Sequence, residues 1–492
     1  MNRFKKICLF FVGLLSVIWF LVRVIPKPSR ASYPCQRAVF PIASAFVIWI
    51  LSVIGSVTIF KKLKASIILK KYSKTALLLV VGAIALMFVL SQPVIPSVAN
   101  TSGNSNETPI GEARGIFPGR VVWTYDKKVT SWDGQTGHYW DYNFTDQKGI
   151  EKMLSSSLRL ISGQKSDKKA WDALFVFFNK NHNKSNLHYS KGQKIVIKIN
   201  MNTARKSYES YEKENSINAT PQVVLAMIRQ LVDVAGVPDS CITVFDGTRY
   251  ITDNIYDPCK KEFPGLKFVD RYGKKGRIQV RWKENQITYA VKNTCGTSIA
   301  TCVTDADYII NMALFKGHNV AGITSCGKNH FGSINKQEHY YIRQSDRGPG
   351  VYNPIIDLMG HNELGQKTLL YMVDAIYGSK DADPAPEKWQ MEPFNNNWPS
   401  SIFLSLDNVA IESVVWDFFN TEIGDRSYMK NSDSYLHEAA LAGNPPSKTI
   451  YAPNGDNVQL KSLGVHEHWN NVSEKKYSRN LGSGNGIELV RN

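Results

Sequence analysis

The first hundred residues contain no aspartate, no glutamate and no histidine. They carry 13 lysines and arginines, which leaves 46 basic against 42 acidic residues in the rest of the chain. Most of the formal charge of +17, 13 of it, therefore belongs to the N-terminal fifth. A nucleic-acid-binding domain carries its basic residues as a patch or stripe on a folded face. Here they flank apolar runs, so the charge argues against DNA or RNA as a partner.

Cluster-forming cysteine spacing is also missing. The seven cysteines, Cys8, Cys35, Cys241, Cys259, Cys295, Cys302 and Cys326, include no CxxC pair. Iron–sulfur ligation by a ferredoxin-like run needs such close spacing, so no iron–sulfur cluster is expected. In an oxidising compartment Cys295 with Cys302, and Cys241 with Cys259, are candidate disulfides that leave Cys326 over. Ordinary buried thiols remain open for all five. There is no GxxxxGK[ST] phosphate loop, no HExxH metal motif, no serine triad and no internal repeat.

What the N-terminal fifth does contain is three long apolar segments, Ile7 to Ile25, Ala38 to Phe60 and Thr75 to about Val98. A helix rising 1.5 Å per residue crosses the hydrocarbon core in about 20 residues, so each is long enough to span. Arg3, Lys5 and Lys6 precede the first, and six lysines between Lys61 and Lys74 separate the second from the third. Basic loops stay on the cytoplasmic side. The expectation is a multi-pass anchor in the cytoplasmic membrane, its partner the lipid bilayer, with the third helix leading outward. Without an acidic residue or a histidine, the anchor offers no proton relay.

A polar tether over 99–110 (ANTSGNSNETPI) leads to nearly 400 residues of mixed composition, read as one extracytoplasmic domain over 111–492. Arg120 to Tyr125 is strand-like, and 146–162 and 167–180 are helical, the latter placing Trp171, Leu174, Phe175 and Phe178 on one stripe. KIVIKIN (Lys194 to Asn200), CITVF (Cys241 to Phe245) and YIINMA (308–313) read as core strands. Asn218 to Val234 reads as a helix with Pro221 at its first position and Gly236 at its end. Thr368 to Tyr377 is expected to be helical, Ile402 to Ser405 a strand, and Asn408 to Phe419 a helix. The alternation implies an α/β domain with a mixed or largely parallel sheet.

Chemistry-bearing residues concentrate in DADYIINMALFKGHNVAGITSCGKNHFGSIN, Asp305 to Asn335. Lys316, His318, Lys328 and Asn329 lie among glycines that let the backbone turn or approach a ligand closely. Ligands of α/β sheets bind beyond the carboxyl ends of the strands. Lys198 and Asn200 sit on a core strand, and Asp246 ends the next. A buried ammonium needs a partner, and both an ion pair with Asp246 and membership of a site are open for Lys198. Asp407 opens a helix as an N-cap, with a ligand role as the alternative. The expected roles are acid or base for His318, proton exchange with it for Asp246, charge neutralisation for Lys316, and substrate binding for Lys198, Asn200, Asp305, Lys328, Asn329 and Asp407. His361, His437, His466 and His468 raise the question of a metal, and HEH (466–468) puts two imidazoles on one side of a strand. No motif completes that set, so the metal is left unassigned.

The blocks GQKIVIKINMN, NATPQVVLAMIRQLVDVAG, CITVFDGTR, DADYIINMALFKGHNVAGITSCGKNHFGSI and LDNVAIESVVWDFF, together spanning about 190–425, resemble the bacterial and archaeal family called domain of unknown function 362. The resemblance implies no settled chemistry. By position, the residues matching the family's polar motifs are Lys198, Asn200, Asp246, Asp305, Lys316, His318, Lys328, Asn329 and Asp407. Many relatives carry ferredoxin-like cysteine runs and are linked to redox systems, a pattern from which this chain departs. The segment YPCQRAVFP, with Cys35, looks like membrane-anchored relatives.

Three functions follow as expectations. The first is an enzyme acting on a small anionic or polar substrate in a Lys/His/Asp cleft. The second is a non-catalytic domain that binds a ligand or an envelope protein, for which Trp140, Trp389, Trp398 and Trp469 offer aromatic contacts if exposed. The third is a redox-associated protein without its own cluster.

Overall fold

The computed structural model describes residues 108–202, 204–209, 215–292, 295–335, 350–382, 384–424, 426 and 428–492, with Trp19 and Val22. The chain divides into two compact units, Met1–Gly103 and Asn104–Asn492. The three apolar segments, Cys8 and Cys35 lie outside the described residues, apart from Trp19 and Val22, which are helical. Among the described residues no helix is long and apolar enough to cross a membrane.

The second unit is built on a ten-stranded sheet. In chain order its strands are β1 (Arg120–Tyr125), β2 (Ile195–Lys198), β3 (Ile242–Asp246), β4 (Lys267–Asp270) and β5 (Ile278–Gln279). β6 (Tyr308–His318), β7 (Gly322–Thr324), β8 (Thr368–Ser379), β9 (Ser401–Ser405) and β10 (Glu488–Arg491) follow. In space the order is β10-β1-β9-β8-β6-β2-β3-β4-β5, with β7 folded back on β6 as a hairpin. From β8 through β6, β2, β3 and β4 to β5 every pairing is parallel, while β9 runs against both β8 and β1. The expected α/β class with a largely parallel sheet is what forms.

Both faces of this sheet are covered, which is why its strands are apolar runs and not alternating patterns. One face carries Val122, Ile195, Ile197, Val244, Ile310 and Met372. Against it pack α1 (Gln147–Ser162), α2 (Asp167–Asn181), α3 (Pro221–Arg229) and α4 (Asp253–Glu262). The other face carries Val121, Trp123, Val196, Phe245, Ile309 and Phe403, under α5 (Asn408–Ile423) and α6 (Met429–Ala440). Full burial of each such aliphatic or aromatic side chain contributes roughly 1.5–3 kcal/mol. The Trp171 stripe of α2 is buried as its spacing implies.

Local signals place the helix ends. Asp146 accepts from the Lys148 amide at 3.0 Å to open α1, and Gly163 closes it at φ +70°. α3 starts with Pro221, and the Thr220 amide before it donates to Asp374 Oδ2 on β8 at 2.8 Å. Past Arg229 the helix widens into a π-helical turn over Gln230–Val234 before Gly236 turns at φ +76°.

Three expectations need correction. Thr368 to Tyr377 is part of strand β8, not a helix. All twelve residues of β8 are buried, between β6 and β9, and a segment apolar on both faces has no period that separates strand from helix. The 308–313 strand runs on to His318, because β7 pairs back along its distal half and extends the ladder through Lys316 and Gly317. None of the described cysteines, Cys241, Cys259, Cys295, Cys302 and Cys326, is in a disulfide, so neither candidate pairing forms.

Candidate functional site

Strands β6, β2 and β3 are adjacent and parallel, with Lys198 in register between Asn311 and Phe245. Their carboxyl ends therefore deliver Lys198, Asn200 and Asp246 to one edge of the sheet. β6 continues past that edge and carries Lys316 and His318 with it. After β7 the chain makes a helical turn over Cys326–Asn329 and a 3-10 turn over His330–Ser333, which bring Lys328 and Asn329 back to the same edge. Together they line a cavity of about 250 Å³.

The floor is an ion pair. Lys198 Nζ lies 3.2 Å from Asp246 Oδ2 and also donates to Asn329 Oδ1 at 3.1 Å and to the Ile199 carbonyl at 2.5 Å. Asp246 Oδ2 accepts from the Met201 amide at 3.0 Å, and Oδ1 accepts from the Thr248 amide and hydroxyl, each at 2.9 Å. Asn329 Nδ2 in turn reaches Asn311 Oδ1 at 2.8 Å. Burial draws the Lys198 ammonium below its ordinary pKa, against the opposing pull of Asp246. Gly332 makes room for this floor: a Cβ there would lie 2.4 Å from Lys198 Nζ. Behind it, His330 is pushed down to about 3 by burial first and by the positive Lys198 second.

The walls are cationic. Arg205, Arg249, Lys316 and Lys328 line the cavity, and Asp246 is the one acidic residue among the described lining residues. Lys316 is buried to 1% exposure and donates to the Ala382 carbonyl at 3.1 Å. Arg249 is held by the carbonyls of Asn202 (3.1 Å) and Thr248 (3.0 Å), and burial lowers its pKa. His318 Nδ1 accepts from the amides of Val320 and Ala321, both at 3.1 Å. In the neutral ring the proton is then on Nε2.

Of the residues singled out in the sequence, Lys198, Asn200, Asp246, Lys316, His318, Lys328 and Asn329 line this one cavity. Asp305 and Asp407 do not. Asp305 ends the short helical turn Thr301–Thr304 before β6 begins, at the opposite end of that strand. Asp407 is the N-cap of α5, accepting from the amides of Ala410 (2.9 Å), Arg114 (2.8 Å) and Val465 (3.2 Å). Lys316 and His318 sit on β6 itself, not on a loop after it. Sequence reasoning passed over Arg205, Arg249 and Thr248. The last two were readable: they follow Asp246 directly in DGTR, at the carboxyl end of a parallel strand. Trp140, Trp389, Trp398 and Trp469 are all buried, so they form no exposed aromatic surface.

Residues 195–417 match the model of the family described as Domain of unknown function (DUF362). No curated protein and no solved structure matches the chain.

Proposed function

We propose, from the premise that residues 195–417 form a domain of this family, that the cavity at the carboxyl edge of the sheet binds a small anion, such as a phosphate or carboxylate compound. One observation carries the reading. Four cationic side chains meet in about 250 Å³, and the one carboxylate among the described lining residues is already engaged by Lys198. Charge of one sign gathered in a concave, partly desolvated site favours a counter-charged ligand. A neutral His318 donates a hydrogen bond from Nε2–H to that ligand and Lys316 neutralises its charge, the arrangement that stabilises negative charge developing in a reaction. Asp246 and Asn329 act by positioning the floor. The non-catalytic alternative, docking of an envelope protein through aromatic contacts, loses support because the four tryptophans are buried.

The domain is held outside the cytoplasmic membrane by helices over 7–25, 38–60 and 75–98, a proposal supported by hydropathy and by the lysine-rich second loop. The anion reading is tested by thermal unfolding of the purified protein with inorganic phosphate, pyrophosphate and small carboxylates at low and high salt. A ligand that binds only the folded state raises the melting temperature with concentration. At least one anion is expected to do so, less at high salt, and the effect is expected to vanish in Arg249→Met and Lys316→Met. No stabilisation by any anion, or equal stabilisation of both variants, overturns it.

A further inference from the structure

A second group of side chains has no part in this cavity. Asp433 lies on α6, His466 on the short strand Val465–His466, and His468 two residues on. One ligand atom from each lies within 4.8 Å of the other two. His466 Nε2 is 3.4 Å and His468 Nε2 is 3.3 Å from the same oxygen, Asp433 Oδ1. Metal–ligand bonds of about 2.0–2.2 Å in a tetrahedron place neighbouring ligand atoms about 3.3–3.6 Å apart.

The hydrogen bonds behind the two rings fix which nitrogens face inward. Ser413 donates its hydroxyl proton to the Val409 carbonyl at 2.8 Å, so towards His466 Nδ1, also at 2.8 Å, it accepts. His466 thus carries its proton on Nδ1 and turns the lone pair of Nε2 inward. That Nε2 is buried and makes no hydrogen bond. His468 Nδ1 donates to Asp417 Oδ1 at 2.7 Å, and Asp417 is itself braced at Oδ2 by the Trp469 amide (2.9 Å) and the Tyr477 hydroxyl (2.8 Å). An imidazole braced by a carboxylate or hydroxyl on its outer nitrogen is the arrangement that orients histidine ligands. Two inward imidazole nitrogens facing one carboxylate oxygen need a proton or a metal ion between them; as it stands His468 Nε2 is within hydrogen-bond reach of Asp433 Oδ1, and His437 Nδ1 lies 3.3 Å from the same oxygen. His437, one turn after Asp433, donates from Nδ1 to the Asp433 carbonyl at 2.9 Å and positions that segment.

We propose that His466 Nε2, His468 Nε2 and Asp433 Oδ1 bind a divalent transition-metal ion of the zinc and ferrous class, with solvent completing its coordination. Two imidazoles and one carboxylate suit such ions and leave a position open. Solvent can reach it, since the Asp433 and His468 side chains are 27% and 18% exposed. Asp433, His466 and His468 all lie beyond the 195–417 family segment, so the site belongs to this chain's C-terminal part.

The test uses the untagged full-length protein in detergent, stripped with a chelator and titrated with Co(II) and then with Zn(II) in competition. One equivalent of Co(II) is expected, with the visible absorption of a four- or five-coordinate ion, displaced by Zn(II). Asp433→Ala and the double variant His466→Ala/His468→Ala are expected to weaken binding at least 100-fold. Asp417→Asn, which leaves every ligand in place, is expected to weaken it about 10- to 100-fold. His188→Ala, at an exposed histidine elsewhere, should change nothing. Far-UV circular dichroism checks the fold of each variant, and the partly exposed Asp433 keeps the test open if the double variant unfolds. Absence of saturable one-equivalent binding, or an affinity unchanged in Asp433→Ala, overturns the proposal and leaves a proton as the cation between these groups.

Discussion

Lys198 Nζ and Asp246 Oδ2 stand 3.2 Å apart at the carboxyl ends of two neighbouring parallel strands, with side chains 2% and 4% exposed. A buried pair of this kind is expensive to break from one side, because the remaining charge is stranded; the cost is about 3–5 kcal/mol. Lys198→Met and Asp246→Asn are each expected to lose stability of that order in urea unfolding. The double variant is expected to lose clearly less than the sum, since neither charge is then left alone. Additive losses would show that the two side chains do not act as a pair.

Gly332 gives a second prediction at the same floor. Its position needs no unusual φ, so the argument is one of space: an added Cβ would stand 2.4 Å from Lys198 Nζ and 2.5 Å from Cε. The lysine is held by three acceptors and has nowhere to retreat. Gly332→Ala is expected to cost about 1–3 kcal/mol through overpacking. It should also weaken anion binding in the thermal assay. A variant as stable as the parent would mean that the floor yields easily.

The sequence made the sheet legible where strands are short and bounded by turns, as at Ile195–Lys198 and Ile242–Asp246. It failed at Thr368–Ser379, where burial on both faces removes the alternation that marks a strand. It also stopped β6 too early, because Lys316, Gly317 and His318 look like a loop until the β7 hairpin supplies their pairing. The grouping of Lys198, Asp246, Lys316, His318 and Lys328 was readable because strand ends and the loops after them converge in parallel sheets. Asp305 and Asp407 drew notice for the same chemistry, yet one precedes its strand and the other is spent on a helix cap. The Asp433–His466–His468 cluster was not readable as a set, since the carboxylate lies on a helix more than thirty positions before HEH.

Topology is open to a direct check. The proposed orientation, drawn from segment lengths and the six lysines between Lys61 and Lys74, has the N-terminus in the cytoplasm and residues 100–492 outside. A phosphatase reporter fused after Asn100, active only when exported, is expected to be active. A fusion within the lysine-rich loop is expected to be silent. The reverse pattern would rule out this orientation.

The last prediction concerns pH and rests on Glu412, which α5 buries completely. Its carboxylate accepts from the Gly327 amide and the Tyr435 hydroxyl. Burial nonetheless outweighs these bonds and pushes its pKa from 4.5 up to about 7. The folded state therefore holds this proton more tightly than the unfolded chain. Linkage then makes the group's contribution complete below about pH 4.5, falling as pH rises, and lost once pH passes 7. A shift of this size corresponds to about 3 kcal/mol. Asp357, pushed up to about 8 by burial, and Asp374 and Asp407, each pushed up to about 6, act in the same direction over this range. The wild-type curve alone therefore does not isolate Glu412. Glu412→Gln does, because its amide keeps an oxygen for the Gly327 amide and presents an N–H to the Tyr435 oxygen, imitating the protonated acid. Urea unfolding of both proteins from pH 4.5 to 8 should show the variant gaining on the wild type by about 3 kcal/mol across that range. A difference that stays constant with pH would mean that Glu412 folds with an ordinary pKa, and that the hydrogen bonds from Gly327 and Tyr435 cancel the cost of burying its charge.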